Sequence, residues 1–117
     1  MTINTTNERP WGFYRSLEIA EGFQVKYIEV KPAGRLSLQK HFKRSEHWVV
    51  VRGEVNVTVD GTTKTYKVGE HLYIPVEAVH RLENTTSQAA AIVEVQIGSY
   101  LGEDDIVRLE DDYGRTN

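Results

Sequence analysis

Four side chains suited to metal binding occur at spacings that could bring them to one point. Gln39 and His41 are two residues apart, so on a strand they lie on the same face. Four residues separate His41 from Glu46, enough for a short turn and an antiparallel return that directs Glu46 toward them. His80 comes later, five residues after Pro75. Together they offer two imidazoles, one carboxylate and one amide oxygen, a set that could bind a divalent cation.

Other polar side chains near this set are candidates for handling a substrate. Arg44 lies in the predicted turn between the ligand-bearing strands, where a guanidinium could bind an anion or stabilise developing negative charge. Lys43 and Arg81 are further candidates for contact with a phosphate group. Glu94 and Gln96 form the polar face of a strand whose other face is apolar, so this polar face is either solvated or lines a cavity.

His47 has a less certain place in this arrangement. It adjoins Glu46, so its side chain points to the opposite face of the same strand. A surface, interface or catalytic role is therefore open for His47.

The elements that must position these residues have the sequence pattern of short β-strands. The predicted strands cover 23–31, 46–52, 54–59, 62–68, 71–74 and 90–97. Asp60-Gly61 separates two of them and suits a type I′ hairpin turn, which needs positive φ at both central positions. Many short strands at this spacing predict an antiparallel sandwich or small barrel, an all-β fold.

The two ends of the chain differ from this pattern. Ile106, Leu109 and Tyr113 have helical spacing behind an aspartate, which predicts a short helix near 104–112 within an acidic tail, 103–117. The first eight residues are polar and are predicted to be loose.

Length and composition restrict the class of protein. A chain of 117 residues is predicted to form one domain, 1–117, and its 39% hydrophobic and 26% charged content is ordinary for a globular protein. No apolar run approaches the length of a membrane span, and the first residues lack a signal-peptide pattern, which predicts a cytoplasmic protein. The absence of cysteine leaves metal binding to histidine and to oxygen ligands.

The charge distribution argues against a nucleic-acid partner. The net charge of −3 comes from the acidic run at 103–112, and the rest of the chain is close to neutral. Nucleic-acid binding typically needs a basic stripe and a pI above about 9, whereas the pI here is 5.8.

The spacing of glycines, ligands and proline resembles the two motifs of the cupin family. Six residues lie between Glu46 and the next matching glycine, as in the first motif. The matching positions are Glu46, Gly53, Gly69, Pro75, His80 and Asn84. Gln39 stands where most cupins have a histidine, and Glu77 replaces a glycine of the second motif. The resulting Gln-His-Glu-His set resembles that of phosphomannose isomerases.

Longer runs of sequence narrow the resemblance. ERPWGFY, LSLQKHFKRSEHWVVVRG and YIPVEAVHRLEN are similar to type II mannose-6-phosphate isomerase, familiar as the C-terminal part of bifunctional mannose-1-phosphate guanylyltransferase/mannose-6-phosphate isomerase. The similarity covers about 9–115. That family usually has three consecutive histidines from the position of His41, where this chain has His41-Phe42-Lys43. A glycine-rich nucleotide loop is absent from these residues, so nucleotide transfer is not expected.

The resemblance implies a cupin jelly-roll barrel that holds one divalent metal on Gln39, His41, Glu46 and His80. Zinc is the first expectation, with manganese, cobalt and nickel as alternatives. The implied activity interconverts mannose 6-phosphate and fructose 6-phosphate, with Arg44 as a substrate contact and with Glu94 and Gln96 in the cavity. Glu94, His47 or a metal-bound water remain candidates for the base.

Two other functions and one assembly state are also expected or left open. The chain could be a non-catalytic sugar- or nucleotide-sugar-binding cupin, or a metal-dependent oxygenase. A homodimer is predicted because a small barrel leaves edge strands that need cover, and the aromatic segment Trp11–Tyr14 is predicted to pack on the partner's sheet.

Overall fold

The structure is a computed structural model that describes residues 2–114, and these residues form strands and turns with no helix. The strands are β1 (Asn7–Arg9), β2 (Gly12–Ala20), β3 (Phe23–Val30), β4 (Leu38–Lys40), β5 (Arg44–Arg52), β6 (Glu54–Val59), β7 (Thr62–Lys67), β8 (His71–Ile74), β9 (His80–Glu83), β10 (Ala90–Gly98) and β11 (Val107–Glu110). No helix in this part of the chain is long and apolar enough to cross a membrane.

The strands form two sheets that face each other across a common core. One sheet has the order β1-β2-β3-β10-β5-β8, and the other has the order β11-β4-β9-β6-β7. Neighbouring strands pair antiparallel throughout both sheets. The prediction of an all-β, jelly-roll barrel is confirmed.

Alternation along the strands determines which side chains are inside. In β3 every second residue from Gln24 to Val30 is buried, and in β5 the same alternation runs from Arg44 to Val50. One half of the interior is apolar, and its buried residues are Trp11, Ile28, Val30, Trp48, Val50, Val55, Val57, Ile74, Ala78, Leu82, Ala90 and Ile92. The other half is polar, so the chain places an unusually large set of ionisable groups inside a small barrel.

The hairpin between β6 and β7 has the predicted turn. Asp60 and Gly61 have φ of +47° and +86°, and Val59 pairs with Thr62 across the turn. A type I′ turn needs this backbone, and aspartate and glycine tolerate it better than other residues.

The predicted helix near 104–112 is wrong. β11 lies there instead and pairs with β4, with Arg108 opposite Gln39. Asp105, the buried aspartate in this segment, does not cap a helix, because its carboxylate accepts the backbone N–H groups of Phe42 and Lys43 at 3.0 and 2.9 Å. Backbone pairing with β4 stabilises a strand here, although the apolar residues of the segment have helical spacing. Residues 115–117 of the predicted acidic tail lie outside the described residues.

The N-terminal segment is more ordered than predicted. β1 pairs with β2 over Asn7 to Arg9, and the N–H of Asn4 donates to the carbonyl of Ser16 at 2.8 Å. The polar side chains led to the prediction of a loose segment. An edge strand such as β1 is held by backbone pairing and needs little apolar burial, so polar residues are compatible with it. Trp11 is buried in the chain's own core, so this residue is not left for a partner.

Candidate metal centre

The polar half of the barrel contains a cavity of about 90 Å³ that opens to solvent. Both sheets contribute to its walls: Gln39 comes from β4, Glu46 from β5 and His80 from β9, and His41 follows β4 directly. The candidate ligand atoms of His41, Glu46 and His80 lie within 4.8 Å of one another, and all three residues are buried. The sequence spacing therefore predicts this convergence correctly.

Both histidines are oriented for binding through Nε2. The Nδ1–H of His41 donates to the carbonyl of Asp105 at 2.7 Å, and the Nδ1–H of His80 donates to the carbonyl of Ala78 at 2.9 Å. Because a carbonyl can only accept, each Nε2 is unprotonated and keeps a lone pair. The Nε2 of His41 lies 3.3 Å from Glu46 Oε2 and accepts from Arg44 Nη2, a contact that a bound metal would replace. Burial lowers the pKa of His41 to about 4, so its imidazole is neutral, as a ligand must be. The three residues thus fit a divalent cation.

Gln39 lies beside these ligands. It pairs with His80 in the sheet and lines the same cavity. Its amide nitrogen donates to the carbonyl of Ser37 at 3.3 Å, which leaves the amide oxygen for a ligand role. The assignment of Gln39 as a fourth ligand stays a prediction.

The carboxylate of Glu46 is held ionised although it is fully buried. Burial acts to raise its pKa, but the charge of the adjacent Arg44 holds the pKa well below the usual range. Arg44 Nε donates to one carboxylate oxygen at 2.8 Å, and Trp48 Nε1 donates to the other at 2.9 Å. The site therefore keeps one fixed negative charge ready for a cation.

Glu94 lines the cavity next to Glu46. Its polar strand face, left open as solvated or internal by the sequence, is internal, since Glu94 and Gln96 are both buried. Burial and the neighbouring Glu46 raise the pKa of Glu94 to about 8, because two adjacent carboxylates are not readily ionised together. Gln96 donates to Glu94 and accepts from Gln24 Nε2 at 3.0 Å, so Glu94 is held by a buried chain of amides.

Arg44 lies inside the barrel at the start of β5, and not in the turn predicted between the ligand-bearing strands. Its guanidinium donates to Glu46 and, through Nη2, to His41 Nε2 at 3.2 Å. Its Nη1 lies 4.0 Å from Glu103 Oε2. This arginine therefore joins the candidate metal ligands to the mouth of the cavity.

Three of the residues predicted for the site do not reach the cavity. His47 is exposed and packs on Tyr73 with ring centroids 4.7 Å apart, as expected for the residue after an inward-facing one. Lys43 is exposed, with Nζ 5.4 Å from the centre of the Tyr100 ring. Arg81 is buried, but its guanidinium donates to the carbonyl of Leu36 and to Glu110, which ties β9 to β11.

Several residues of the cavity were missed by the sequence reasoning. They lie on elements distant in sequence from the motifs and are Arg9, Tyr14, Lys26, Glu103 and Arg108. Lys26 had one available signal, because strand alternation places it on the same face as the apolar Ile28 and Val30.

The departures from the cupin motifs are accommodated without change to the ligand cluster. Glu77, which replaces a motif glycine, adopts φ of +68° and donates its N–H to the carbonyl of His41 at 2.8 Å. Phe42 and Lys43, which replace two histidines common in the family, are both exposed and do not line the cavity.

Solved structures with similar folds are cupins and related enzymes. The oxalate decarboxylase of Lactobacillus farciminis has a TM-score of 0.77 at 21% identity, over 90% of this chain and 33% of that one. An RmlC-like cupin from Shewanella frigidimarina has a TM-score of 0.73 at 18% identity, over 86% of each chain. At these identities the likeness establishes the cupin fold alone.

Sequence relatives are closer. The alginate biosynthesis protein AlgA of Pseudomonas aeruginosa is 56% identical over 92% of this chain and 22% of its own length. The mannose-1-phosphate guanylyltransferase ManC of Salmonella typhimurium is 51% identical over 92% of this chain and 22% of its own length. The chain thus spans less than a quarter of these relatives. The family model "Mannose-6-phosphate isomerase C-terminal" matches residues 1–111, and the chain belongs to that family.

Proposed function

We propose that the cavity interconverts mannose 6-phosphate and fructose 6-phosphate with one bound divalent metal. The observation that carries this proposal is the convergence of a buried His41–Glu46–His80 cluster and a second carboxyl group, Glu94, in one cavity. Membership of the mannose-6-phosphate isomerase C-terminal family supplies the substrate class.

The metal would be bound by His41, Glu46 and His80, with the amide oxygen of Gln39 as the proposed fourth ligand. A mixed set of imidazole and oxygen donors suits zinc, and manganese, cobalt and nickel are the alternatives. Bound there, the ion would act as a Lewis acid on the oxygens of the sugar.

Isomerisation moves a proton between two adjacent carbons. The C2–H bond of the aldose breaks, its electron pair forms the C1=C2 bond of an enediolate, and negative charge collects on O1. The O2 hydroxyl then loses its proton and O1 gains one, so that a proton adds to C1 as the carbonyl forms at C2 and C1 keeps a hydroxyl group. Glu94 in its ionised form is the proposed group that takes and returns this proton, since it is buried in the cavity wall and held in place by Gln96. A cation bound beside Glu46 would offset the negative charge that raises the pKa of Glu94 and would so favour this ionised form.

Arg44 is the proposed partner for the negative charge. Its hydrogen bonds to Glu46 and His41 would hold the guanidinium beside the proposed metal, close to the oxygens on which this charge develops. The rigidity of this contact favours a part in stabilising the enediolate as well as in binding.

A coupled assay with mannose 6-phosphate tests the proposal on the 117-residue chain loaded in turn with zinc, manganese, cobalt or nickel. Glu94→Gln should lower kcat by about 10²-fold or more while the metal content stays equal to that of the unsubstituted protein. The substitution keeps an oxygen that can accept from Gln96, so it removes only the proton-transfer group.

Bound metal without turnover for every ion would contradict the isomerase proposal. Binding of mannose 6-phosphate in that case would instead indicate a non-catalytic sugar-binding cupin. An unchanged kcat in Glu94→Gln would leave the isomerase but remove Glu94 as its proton-transfer group.

A further inference from the structure

Lys26 is a buried lysine in the cavity wall, and it has no role in the proton transfer proposed above. It lies on β3 with 3% of its surface exposed. Its Nζ forms an ion pair with Glu103 and lies 4.4 Å from the centre of the Tyr14 ring. Burying an ammonium group is costly unless an anion and a polarisable surface accompany it, and Lys26 has both.

The partner of Lys26 comes from a different kind of segment. Glu103 lies in the irregular stretch between β10 and β11, and its side chain is 44% exposed. The same carboxylate oxygen lies 4.0 Å from Arg44 Nη1, a buried nitrogen with no hydrogen-bond partner among the described residues. One half-exposed carboxylate therefore lies between two buried cations.

Further cationic side chains line the same cavity. These are Arg9 and Arg108, and Arg9 Nη2 lies 3.4 Å from the hydroxyl of Tyr14. Four cationic residues thus share this cavity wall with Glu103, and they are Arg9, Lys26, Arg44 and Arg108. The same lining has three carboxyl groups, Glu46, Glu94 and Glu103, so the cationic groups outnumber them and would suit an anionic ligand group.

We propose that Lys26 and Arg44 form the phosphate-binding subsite of the cavity, and that Glu103 is an internal counter-ion which the substrate phosphate displaces. This proposal rests on the proposed function for the identity of the sugar, but the subsite itself requires only a phosphomonoester or inorganic phosphate.

The exchange has a physical basis. A phosphate dianion offers three acceptor oxygens, so it can bind Lys26 Nζ and Arg44 Nη1 together, whereas Glu103 now leaves Nη1 without a hydrogen bond. Glu103 is on a chain segment outside the strands and is partly solvated, so it can turn into water at little cost. The guanidinium of Arg44 separates the subsite from the candidate metal ligands. Its Nε and Nη2 contact Glu46 and His41, and its Nη1 is directed toward Glu103.

Phosphorus NMR titration of inorganic phosphate tests the subsite without any turnover, on the unsubstituted chain and on two variants. Lys26→Met keeps the length of the side chain and removes its charge, and should weaken phosphate binding about tenfold or more. Glu103→Gln removes the competing charge from a half-exposed side chain, and should strengthen phosphate binding several-fold. Lys64→Met, on the exposed strand β7, is the matched control and should leave it unchanged.

The opposite signs of the two variants distinguish a subsite from a structural ion pair. If the Lys26–Glu103 pair only fastens the C-terminal segment to the barrel, both variants should lower the melting temperature and neither should change phosphate affinity selectively. Weaker phosphate binding by Glu103→Gln would overturn the counter-ion role even if Lys26→Met fails to fold.

Phosphate binding and turnover of mannose 6-phosphate, measured on the same protein, separate this proposal from the isomerase proposal. Phosphate binding that depends on Lys26, in a protein without turnover, would support the subsite and contradict the isomerase. Turnover of mannose 6-phosphate with an unchanged KM in a folded Lys26→Met would support the isomerase and contradict the subsite.

Discussion

At the scale of single residues, Glu46 connects the parts of the site. Its two oxygens accept from Arg44 and Trp48, and one of them lies 3.3 Å from the Nε2 of His41. A buried carboxylate paired with an arginine in this way stays ionised without a metal ion. The candidate metal centre is therefore assembled before any metal binds, and each imidazole can be tested separately.

We expect His80→Ala to abolish stoichiometric metal binding. The substitution removes one of the three converging donors, and its Nδ1 contact with Ala78 is lost with it. Metal analysis of the purified variant measures the effect. His71→Ala is the matched control, because His71 is exposed on β8 and outside the cavity. Full metal content in His80→Ala would contradict the ligand assignment.

How far the site could be predicted from the sequence depends on the distance along the chain. Gln39, His41 and Glu46 fall within eight consecutive positions, so strand alternation and one turn suffice to bring them together. Lys26 and Glu103 are 77 positions apart, and their contact depends on where the C-terminal segment crosses the barrel. No local pattern contains that information.

At the scale of elements, the segment that includes Asp105 and β11 closes the cavity. β11 continues the sheet beyond β4, and Ile106 and Arg108 line the cavity. The internal strands were predictable because their alternating valines indicate a β-strand and no helix. The apolar residues of this segment are spaced as in a helix, so its sequence did not indicate a strand. Pairing with the exposed edge of β4 decides between the two, and that edge is a tertiary feature.

We expect Asp105→Ala to weaken metal binding by about tenfold or more. The Asp105 carboxylate accepts the backbone N–H groups of Phe42 and Lys43. Its loss should loosen the turn after His41 and shift the backbone carbonyl of residue 105, which the variant keeps and which orients the His41 ring. Loss of two hydrogen bonds to a charged acceptor should also lower the free energy of unfolding by about 1–3 kcal/mol. Metal titration and urea unfolding measure the two effects.

A surface aspartate of the same segment provides the control for this prediction. Asp112 is exposed, and its ion pair with Arg35 is 3.6 Å long. Such pairs contribute about 0–1 kcal/mol, so Asp112→Ala should change neither measurement appreciably. Equal effects of the two substitutions would show that Asp105 has no special role in the site.

At the scale of the whole molecule, the prediction of a homodimer still stands. β1 and β8 are the edges of the larger sheet, and open edges favour association unless they are protected. Trp11 no longer supports the predicted contact, because it is buried in its own barrel. Light scattering at micromolar concentration should give twice the mass of the chain, and a monomer would contradict the prediction.

Removal of the metal should lower the melting temperature of the chain without unfolding it at room temperature. The apolar half of the barrel, which includes Val30, Val50 and Leu82, packs independently of the ligands, and Glu46 keeps its hydrogen bonds to Arg44 and Trp48. A metal at one hundred times its Kd stabilises the folded state by about 2.7 kcal/mol. At about 4 °C per kcal/mol for a domain of this size, chelation should lower Tm by about 10 °C. Thermal unfolding followed by circular dichroism, with and without chelator, measures the shift.

His80→Ala is the control for this measurement and should show no shift, because its folded state has lost the site. An equal shift in that variant would place the bound metal elsewhere.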